Sequence, residues 1–416
     1  MGSSIKKVNK KIKTIWWRIK SYTAMYYYGQ PSKKLKIIGV TGTNGKTTTT
    51  TLLYKVATEL GYKAGLIGTV ENIIAGERMP TTHTTPDSIT LTKLLAKMVE
   101  KGCEYVFIEV SSHALDQGRV LGLNFVGGVF TNLTHDHLDY HKNFDNYFTA
   151  KKKLFQMLPH RAFALTNIDN EYGIKMLEGI KANQFSYGFV GEPDKVHFHG
   201  DIKKLDFHGL ALSFNDIEIK SKLLGRFNAY NLLAVWSACS LLGYDMKRVN
   251  KILENIEPPA GRFQHFTAHN GVLVIVDYAH TPDALEKILK TIHEIKKENS
   301  KIISVFGCGG DRDPLKRRIM GKIGMTFSDI AIFTSDNPRN EDPMKIIEMM
   351  QGNLNEEEKK KVKIIPDRRE AIIESLKIAQ SGDVVLCAGK GHETYQEIKG
   401  VKYHFNDMEE LKKFLD

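Results

Sequence analysis

The chain has 416 residues, of which 42% are hydrophobic and 26% are charged, so it is long enough for two or three domains with separate cores. Its four cysteines lie far apart without a CxxC pair, which argues against a disulfide scaffold and a structural zinc site and favours a reducing cytoplasm. The sequence lacks an apolar run of about 18 residues and a signal-peptide pattern, so it predicts neither a membrane span nor secretion.

The net charge of +11 is concentrated at the N-terminus. Residues 1–20 contain seven Lys and Arg residues and no acid, so the other 396 residues carry a net charge of only +4. The distribution of the charge matters more than its sum, and the body of the protein is nearly balanced. The distribution therefore argues against a nucleic-acid partner.

Residues 1–30 predict a basic amphipathic helix. Apolar side chains recur at helical spacing while lysines occupy the other face, and three tyrosines follow; the apolar positions are Ile5, Val8, Ile12, Ile15, Trp16 and Ile19. Such a helix can lie on an anionic membrane, which would place the protein at the inner membrane face. It can equally pack on its own domain with the basic face in solvent, and the sequence leaves both interpretations open.

From residue 35 to about 242, short apolar runs rich in β-branched residues alternate with longer helical stretches. The runs at 36–40 and 105–110 are predicted strands, and 47–60 is a predicted helix. This alternation is typical of a mainly parallel sheet covered by helices.

A second α/β pattern follows a linker that contains two prolines and a glycine, and its strand candidates are 272–276, 302–306, 330–334 and 384–387. The charged run 356–361 is predicted to be a solvated helix or loop. We expect an α/β protein with a basic segment at 1–34, a central P-loop-type parallel-sheet ATPase domain at 35–256 and a smaller Rossmann-like domain at 257–416.

A glycine-rich turn joins the first predicted strand to the first predicted helix, and it comprises Gly42, Thr43, Asn44, Gly45, Lys46, Thr47 and Thr48. In such a turn the backbone N–H groups point at a phosphate chain, a lysine reaches the outer phosphates and a hydroxyl binds magnesium. The strict G-x-x-x-x-G-K-[ST] pattern fails, because Val40 stands where its first glycine should be. The turn still predicts a nucleotide site.

The string T-G-T-N-G-K-T-T resembles the ATP loop of the Mur ligases and of the related folylpolyglutamate synthases. Further motifs in the same order are similar to those of the MurE-type ligases, which extend UDP-N-acetylmuramoyl-L-alanyl-D-glutamate. They are EVSSHAL at 109–115, TNLTHDHLDYH at 131–141, LGRFN at 224–228, PAGR at 259–262, DYAHTP at 277–282 and GGDRD at 309–313. The resemblance implies an ATP- and Mg²⁺-dependent amide ligase of peptidoglycan synthesis that works through an acyl phosphate.

The resemblance also implies which residues are catalytic and which hold metal. The catalytic set is Lys46, Glu109, His137 and Lys151, and the magnesium ligands are Thr47, Glu109, His137 and a carbamylated Lys151, with Lys152 as the alternative lysine. A strand-end carboxylate near phosphates is costly to bury without a cation, which supports Glu109 as a ligand. The histidines near 137 could suggest zinc, but no cysteine is near them.

Three sets of binding residues follow from the resemblance. Further ATP contacts are expected at Asn228, Asn231, Arg262, Asp277 and His280. The muramyl-peptide acceptor is expected to contact Thr84, Thr85, Ser111, Gln117 and Arg119. The incoming amino acid is expected to contact Arg312, Asp336, Asn337, Pro338, Arg339, Gly389 and Glu393.

The amino acid is expected to be meso-diaminopimelate. Its extra carboxylate suits the bidentate fork of Arg339, whereas lysine would offer only an ammonium there. Glu393 suits the distal ammonium of the same substrate.

MurE-type ligases normally carry a domain of roughly a hundred residues, a typical domain size, before the ATP loop, and it holds the uridine diphosphate. About 40 residues precede the loop here. We therefore expect the nucleotide-sugar portion to be recognised differently. One alternative is a related ligase with a lipid-linked, pseudomurein-type or polyglutamate acceptor. Another is a non-catalytic, membrane-associated nucleotide-binding scaffold, against which the joint retention of the four catalytic residues argues.

Overall fold

The computed structural model describes residues 16–17, 19–81, 83–134, 138–190 and 195–415, without the side chains of Leu138, Asp139 and Leu415. The predicted helical pattern over 5–15 and the metal candidate His137 lie outside the described residues. The chain divides into two compact units. Unit 1 comprises Met1–Lys204, Leu210–Leu223 and Phe227–Glu257, and unit 2 comprises Leu205–Gly209, Leu224–Arg226 and Pro258–Asp416.

An eleven-stranded sheet forms the centre of unit 1, in the spatial order β11-β10-β9-β8-β7-β6-β1-β5-β2-β3-β4. Its strands are β1 (Lys36–Thr41), β2 (Ala64–Ile67), β3 (Asn72–Ile74), β4 (Glu77–Met79), β5 (Tyr105–Glu109), β6 (Phe125–Phe130), β7 (Phe163–Asn167), β8 (Asn183–Gly188), β9 (Phe198–Asp206), β10 (Gly209–Phe214) and β11 (Ile217–Ser221). The run from β9 to β2 is parallel throughout, whereas β3, β4 and β11 pair antiparallel with their neighbours.

The helices of this part of the chain connect the strands. They are α1 (16–17 and 19–27), α2 (Lys46–Glu59), α3 (Ser88–Glu100), α4 (Ser112–Asp116), α5 (Leu138–His141), α6 (Phe144–Gln156), α7 (Gly173–Leu177), α8 (Arg226–Leu241) and α9 (Met246–Asn255), with a 3₁₀ turn at Pro31–Lys34. Asp87, Asn143 and Asp245 begin α3, α6 and α9 by accepting backbone N–H bonds at the N-cap.

The central strands are buried on both faces, which explains their continuous apolar sequence. Ile37, Ile38, Val106 and Ile108 have no exposed surface. Parallel strands send their carboxyl ends to one edge, where loops carry polar side chains. The phosphate loop after β1 and Glu109 at the end of β5 therefore come to the same edge.

Unit 2 contains a six-stranded sheet in the order β12-β13-β17-β14-β15-β16, in which only β12 is antiparallel to its neighbour. Its elements are β12 (Gln264–Thr267), β13 (Leu273–Asp277), α10 (Pro282–Ile295), β14 (Ile302–Phe306), α11 (Leu315–Phe327), β15 (Ile330–Phe333), α12 (Pro343–Gln351), α13 (Glu356–Lys359), β16 (Val362–Ile364), α14 (Arg368–Ile378), β17 (Val384–Ala388), the hairpin β18 (Tyr395–Ile398) and β19 (Val401–His404), and α15 (Asp407–Leu415). Apolar clusters cover both faces of the sheet.

The predicted α/β fold is confirmed, and the predicted strands match observed ones within two residues at each end. The charged run at 356–361 begins with the short helix α13, which buries none of its residues. None of the helices in the described ranges is long and apolar enough to cross a membrane.

Candidate active site

The phosphate loop of unit 1 is built on two glycines in backbone conformations that side chains disfavour. Gly45 has φ +82°, and an added Cβ would lie 2.5 Å from Asn231 Oδ1. A Cβ on Gly42 would lie 1.9 Å from Thr131 Oγ1. Neither position therefore tolerates a larger residue, and α2 begins directly after the loop with its first N–H groups directed toward it.

Hydrogen bonds from the β6 side hold the loop in place. Thr43 N donates to Asn132 O at 2.8 Å, and Asn44 N donates to Asn132 Oδ1 at 2.9 Å. The Thr43 hydroxyl lies 3.1 Å from the Tyr147 hydroxyl on α6. Because these hydrogen bonds order the loop, binding a phosphate chain costs less conformational entropy.

Two lysines converge on one carbonyl of this loop. Lys46 Nζ donates to Gly42 O at 2.9 Å and to Thr43 O at 2.8 Å. Lys151 Nζ, from α6, donates to the same Gly42 O at 2.6 Å, and its side chain is only 1% exposed. Two like charges at one carbonyl repel each other, so the site favours an anion between them or the loss of one charge.

Glu109 lies at the end of β5 beside the first turn of α2, and it is 1% exposed. Its Oε2 accepts from the hydroxyls of Thr47 and Thr69, each at 2.9 Å, and its Oε1 accepts from Thr69 N at 2.7 Å. Gly68 approaches so closely that an added Cβ would be 2.5 Å from Oε1. The carboxylate is therefore fixed beside the phosphate loop by neutral donors.

The three adjacent lysines of α6 have different surroundings. Lys151 is buried over the Tyr147 ring, whose centroid is 4.5 Å from Nζ. Lys152 donates to Lys175 O at the surface, and Lys153 pairs with Asp116 at 2.9 Å. Helical geometry therefore turns only the first of the three toward the phosphate loop.

The predicted acceptor residues form one connected network beside Glu109. The Thr85 hydroxyl donates to Glu109 O at 2.7 Å and accepts from Ser111 N at 3.0 Å. Ser111 also begins α4 by accepting from Ala114 N. Thr84 joins the network through Thr69, at 3.1 Å between hydroxyls. These small hydroxyl residues extend the polar surface away from the phosphate loop.

Arg119 and Gln117 lie at the far end of this network. Arg119 Nη1 donates to Thr85 O at 2.7 Å, while its Nε and Nη2 both donate to Gln117 Oε1, at 2.9 and 2.7 Å. Partial burial lowers the pKa of the guanidinium, against the attraction of Asp87. The arginine still stays charged and is held in one orientation, which suits recognition of an anionic peptide.

In unit 2, the predicted ATP contacts Arg262, Asp277 and His280 lie around Tyr278. Arg262 stacks over the Tyr278 ring at 4.9 Å, and His280 Nδ1 lies 2.9 Å from Tyr278 O. Asp277 accepts from Phe263 N at 2.7 Å and Ala279 N at 2.8 Å. Burial raises the pKa of Asp277 to about 6, although Arg262 opposes the change.

The other two predicted ATP contacts belong to α8 of unit 1. Asn231 Oδ1 accepts from the Thr49 hydroxyl at 3.4 Å, and its Nδ2 donates to Asn228 Oδ1 at 3.1 Å. Asn231 thereby packs against Gly45 of the phosphate loop.

The predicted amino-acid pocket of unit 2 centres on a buried lysine that the sequence did not single out. Lys390 Nζ contacts Asn337 Oδ1 and Glu393 Oε2, each at 3.2 Å, and donates to Tyr395 O at 2.5 Å. Asn337 Nδ2 also donates to Glu393 Oε2, at 2.8 Å. Asn337 and Glu393 are therefore held together, and Glu393 stays beside a positive charge.

Arg339 and Arg312 both approach Gly309. A Cβ on that glycine would lie 3.0 Å from Arg339 Nη1 and 3.6 Å from Arg312 Cγ. Arg339 has φ +50°, and its side chain donates to Gly310 O at 2.7 Å and pairs with Glu397 at 3.3 Å. This strained backbone is held by hydrogen bonds to the β18–β19 hairpin. Asp336 and Gly389 also meet, since a Cβ on Gly389 would be 2.7 Å from Asp336 Oδ2.

Comparison with known families assigns both units. The model of the Mur ligase middle domain matches residues 40–239, and that of the Mur ligase glutamate ligase domain matches residues 261–391. The chain is 51% identical over 393 residues to a UDP-N-acetylmuramoyl-L-alanyl-D-glutamate--2,6-diaminopimelate ligase from Cytophaga hutchinsonii, covering 94% of this chain and 80% of that protein. The chain belongs to the Mur ligase family. A Phocaeicola vulgatus ligase of the same name is 50% identical over 389 residues, again covering 94% of this Mur ligase and 80% of the relative.

Solved structures agree with this assignment. A UDP-N-acetylmuramoyl-L-alanyl-D-glutamate--2,6-diaminopimelate ligase matches with a TM-score of 0.69 and 32% identity, covering 96% of this chain and 82% of the other. A folylpolyglutamate synthase from Mycobacterium tuberculosis matches with a TM-score of 0.70 but only 16% identity, over 89% of this chain and 92% of the other. The second likeness shows a shared fold alone. Both relatives named by the sequence motifs are thus related in fold to this Mur ligase.

Several residues that contact the predicted site escaped the sequence analysis of this Mur ligase: Thr69, Asn132, Tyr147 and Lys390. Thr69 occurs in a loop without a distinctive pattern, whereas Asn132 belongs to the motif at 131–141 but was not singled out there; the roles of both depend on contacts across the sheet edge. Tyr147 and Lys390 were visible only as neighbours of Lys151 and Gly389. Asn132 follows the observed strand β6, which the sequence analysis did not predict, so its place at the carboxyl edge was not available from the sequence.

Proposed function

We propose that this Mur ligase is an ATP-dependent amide ligase that adds meso-diaminopimelate to UDP-N-acetylmuramoyl-L-alanyl-D-glutamate. The observation that carries the proposal is the convergence of Lys46 and Lys151 on Gly42 O beside the buried carboxylate of Glu109. This arrangement suits a polyphosphate and a cation, and the relatives at about 50% identity carry the name of that ligase.

The chemistry needs a better leaving group on the acceptor carboxylate. An oxygen of that carboxylate attacks the γ-phosphorus of ATP, the bond from phosphorus to the bridging oxygen breaks, and ADP leaves with that oxygen. The amine of the amino acid then attacks the acyl carbon, loses a proton, and expels inorganic phosphate. Lys46 neutralises the outer phosphates, and the loop N–H groups hold them.

The residues of unit 1 fit magnesium. Thr47 supplies a hydroxyl and Glu109 a buried carboxylate, and the two lie next to each other beside the loop. Magnesium prefers such oxygen ligands, and it would complete its coordination with water and phosphate oxygens. Among the described residues there is no cluster of three or more histidine, cysteine or acidic side chains that could hold a metal alone. Bound magnesium would reduce the negative charge on the transferred phosphoryl group.

Carbamylation of Lys151 would resolve the repulsion between two ammonium groups at Gly42 O. In this step the neutral Lys151 amine adds to the carbon of CO₂ and loses a proton, so that a negative carbamate replaces a positive ammonium, and its oxygens are ligands that magnesium accepts. Burial of Lys151 and its distance of 2.6 Å to Gly42 O support this lysine over Lys152, whose Nζ bonds Lys175 O at the surface.

We propose that Arg339 makes the enzyme select diaminopimelate over lysine. Replacing it by alanine removes a charged hydrogen-bond partner of the second carboxylate, which should weaken use of diaminopimelate by about 2 kcal/mol or more. The measurement is kcat/KM for diaminopimelate, with kcat/KM for lysine compared in the same variant. Lys399→Ala, on the adjacent hairpin turn, is the matched control and should behave as wild type. An equal loss for both amino acids would refute the assigned role of Arg339.

The test of the whole proposal is direct. The protein is incubated with ATP, magnesium and the UDP-muramoyl dipeptide, and diaminopimelate, lysine, ornithine or glutamate is added separately. We expect phosphate release and a product mass that depend on diaminopimelate. The same assay with a lipid-linked acceptor tests the alternative acceptor class. Absence of amino-acid-dependent phosphate release with every acceptor would leave the non-catalytic nucleotide-binding scaffold.

We further propose that the N-terminal region contacts an anionic membrane surface from the cytoplasm. Several apolar and aromatic side chains of α1 are exposed to solvent, although such side chains are usually buried. The exposed fraction is 60% for Ile19, 74% for Tyr26 and 83% for Tyr27. Aromatic residues prefer the membrane–water interface, and the preceding lysines suit anionic lipid.

Its test compares binding to vesicles with and without phosphatidylserine. The double change Tyr26→Ser and Tyr27→Ser should weaken binding to anionic vesicles and leave turnover of a soluble acceptor unchanged. Equal binding of wild type and variant would reject the proposed contact.

A further inference from the structure

A cavity of about 290 Å³ lies in unit 1 beside the predicted acceptor residues. Gln117 and Arg119 form one wall of the cavity. The other walls come from α1 and from the start of α3, and they include Trp16, Trp17, Lys20 and Asp87. Neither the sequence motifs nor the relatives' names assign a role to these four residues. The cavity volume is at the low end of ligand pockets, so it holds one ring rather than a whole nucleotide-linked substrate.

Contacts with the body of unit 1 hold the α1 wall in place. The buried hydroxyl of Ser21 bonds Gly118 O at 2.9 Å, next to the acceptor candidate Gln117. Ala24 and Met25, one turn further along the helix, are also buried. The two tryptophans are therefore presented to the cavity by an anchored helix.

The cavity chemistry suits an uncharged ring that carries hydroxyl groups. Lys20 Nζ lies 3.1 Å from Asp87 Oδ1 and 5.6 Å from the Trp16 ring centroid. Lys20 and Asp87 offer hydrogen-bond donors and acceptors together, and because they form an ion pair without net charge they suit an uncharged ring. Indole surfaces beside such polar groups are typical of a stacking platform for a ring with apolar faces and polar edges.

The position of the cavity relates it to the reacting end of the acceptor. The Thr85 hydroxyl donates a hydrogen bond to the backbone oxygen of Glu109, beside the phosphate loop. Thr85 O in turn accepts a hydrogen bond from Arg119, which lines the cavity. We consider an acceptor whose reacting carboxylate lies near Glu109 and whose peptide lies along Thr85. The group to which that peptide is attached would then lie in the cavity.

We propose that Trp16, Trp17, Lys20 and Asp87 form a saccharide subsite that holds the pyranose ring of the acceptor. The inference rests on the proposed function, because it takes the acceptor to be a peptide attached to an amino-sugar acid. The indoles pack on the ring face, while Lys20 and Asp87 bind its hydroxyl and acylamino groups. α1 thereby acts in substrate recognition on its inner side.

A kinetic experiment tests the subsite with Trp16→Ala, since Trp16 is 57% exposed and its removal costs little core packing. The KM for UDP-N-acetylmuramoyl-L-alanyl-D-glutamate should rise roughly tenfold, while kcat and the KM for ATP stay unchanged, because stacking is a uniform binding interaction. Trp16→Phe should restore most of the affinity. Tyr27→Ala, on the same helix but outside the cavity, is the matched control and should keep the wild-type KM.

Titration with N-acetylglucosamine, an uncharged pyranose that carries the acylamino group of the acceptor sugar, tests the subsite without turnover. We expect saturable quenching of tryptophan fluorescence in wild type and a weaker response in Trp16→Ala. An unchanged KM together with equal quenching in both proteins would overturn the subsite. Failure of the proposed function would appear differently, as absent diaminopimelate-dependent phosphate release in wild type, with the sugar titration still interpretable.

Discussion

At the scale of single residues, the unusual feature of this Mur ligase is the set of charged groups around one loop, of which Lys151 and Glu109 are buried. Lys46 and Lys151 bond Gly42 O, and Glu109 accepts from Thr47 in the first turn of α2. Such groups are costly to bury unless the site is completed by ions, so their burial is itself an indication of function.

Lys151→Ala should abolish turnover, because it removes the group that we propose is carbamylated. Short carboxylic acids should partly restore activity by occupying the vacated space as oxygen ligands. The measurement is the rate of phosphate release with and without added acetate or propionate. Lys152→Ala is the matched control and should keep the wild-type rate. Normal turnover in Lys151→Ala would refute the role of this lysine.

Asp277 should make the stability of the protein depend on pH. Burial raises its pKa to about 6, so the folded chain keeps this proton up to about pH 6, whereas the unfolded chain loses it near pH 4. Unfolding therefore releases a proton within this window. The contribution of the group to the free energy of unfolding falls as pH rises, by on the order of 3 kcal/mol, and is level above the window.

The measurement is urea unfolding of wild type and Asp277→Asn from pH 4.5 to 7.5. Asparagine does not titrate, so the difference between the two proteins isolates this carboxyl from His392, whose pKa is lowered by burial to about 4. Parallel pH profiles for the two proteins would contradict the assignment.

At the scale of elements, the site depends on the junction of β1, the phosphate loop and α2. Gly42 follows the end of the strand, and the first N–H groups of the helix point to where the loop ends. The tight turn requires glycine at position 45, both for its φ of +82° and for the approach of Asn231.

Gly45→Ala should weaken ATP binding by tenfold or more, because the new Cβ adds backbone strain and collides with Asn231. Gly61→Ala is a matched control at the other end of the same helix: its φ is +99°, but no atom lies within 4 Å of the added Cβ. It should lower stability by about 1 kcal/mol and leave ATP binding unchanged. Calorimetric titration with an ATP analogue and thermal unfolding distinguish the two results.

At the scale of the whole molecule, the charge is asymmetric rather than high. Seven of the positive charges occupy the first 20 residues, and the remaining 396 residues are nearly balanced. Attraction to an anionic surface therefore concentrates at one end of the chain, and salt screens it over about 10 Å at 0.1 M.

Replacing five N-terminal lysines by glutamine should weaken binding to phosphatidylserine vesicles and flatten its salt dependence; they are Lys6, Lys7, Lys10, Lys11 and Lys13. Each lysine near the surface contributes about 1 kcal/mol. A control with the same loss of charge replaces Lys359, Lys360, Lys361, Lys399 and Lys402 of unit 2. Co-sedimentation at rising salt should separate the two variants, and equal loss in both would contradict the localised contact.

Much of the fold and the family could be predicted from local sequence. The apolar runs predicted six of the strands because both faces of a parallel strand are buried, and the strand-glycine-helix order predicted the phosphate loop because few residues fit its backbone. The α/β architecture and the family resemblance are accordingly confirmed. The assigned roles of individual site residues stay predictions.

Local sequence was enough to predict six of the strands, the phosphate loop and the motifs that identify the family, since each depends on neighbouring residues. The three-dimensional fold sets which side chains meet. It turned Lys151, rather than Lys152, toward Gly42 O, brought Thr69 to Glu109 and placed Lys390 between Asn337 and Glu393. It also set the tryptophans of α1 beside Arg119. These contacts join residues far apart in the chain, and such pairings depend on strand order and helix rotation, which local sequence patterns do not specify.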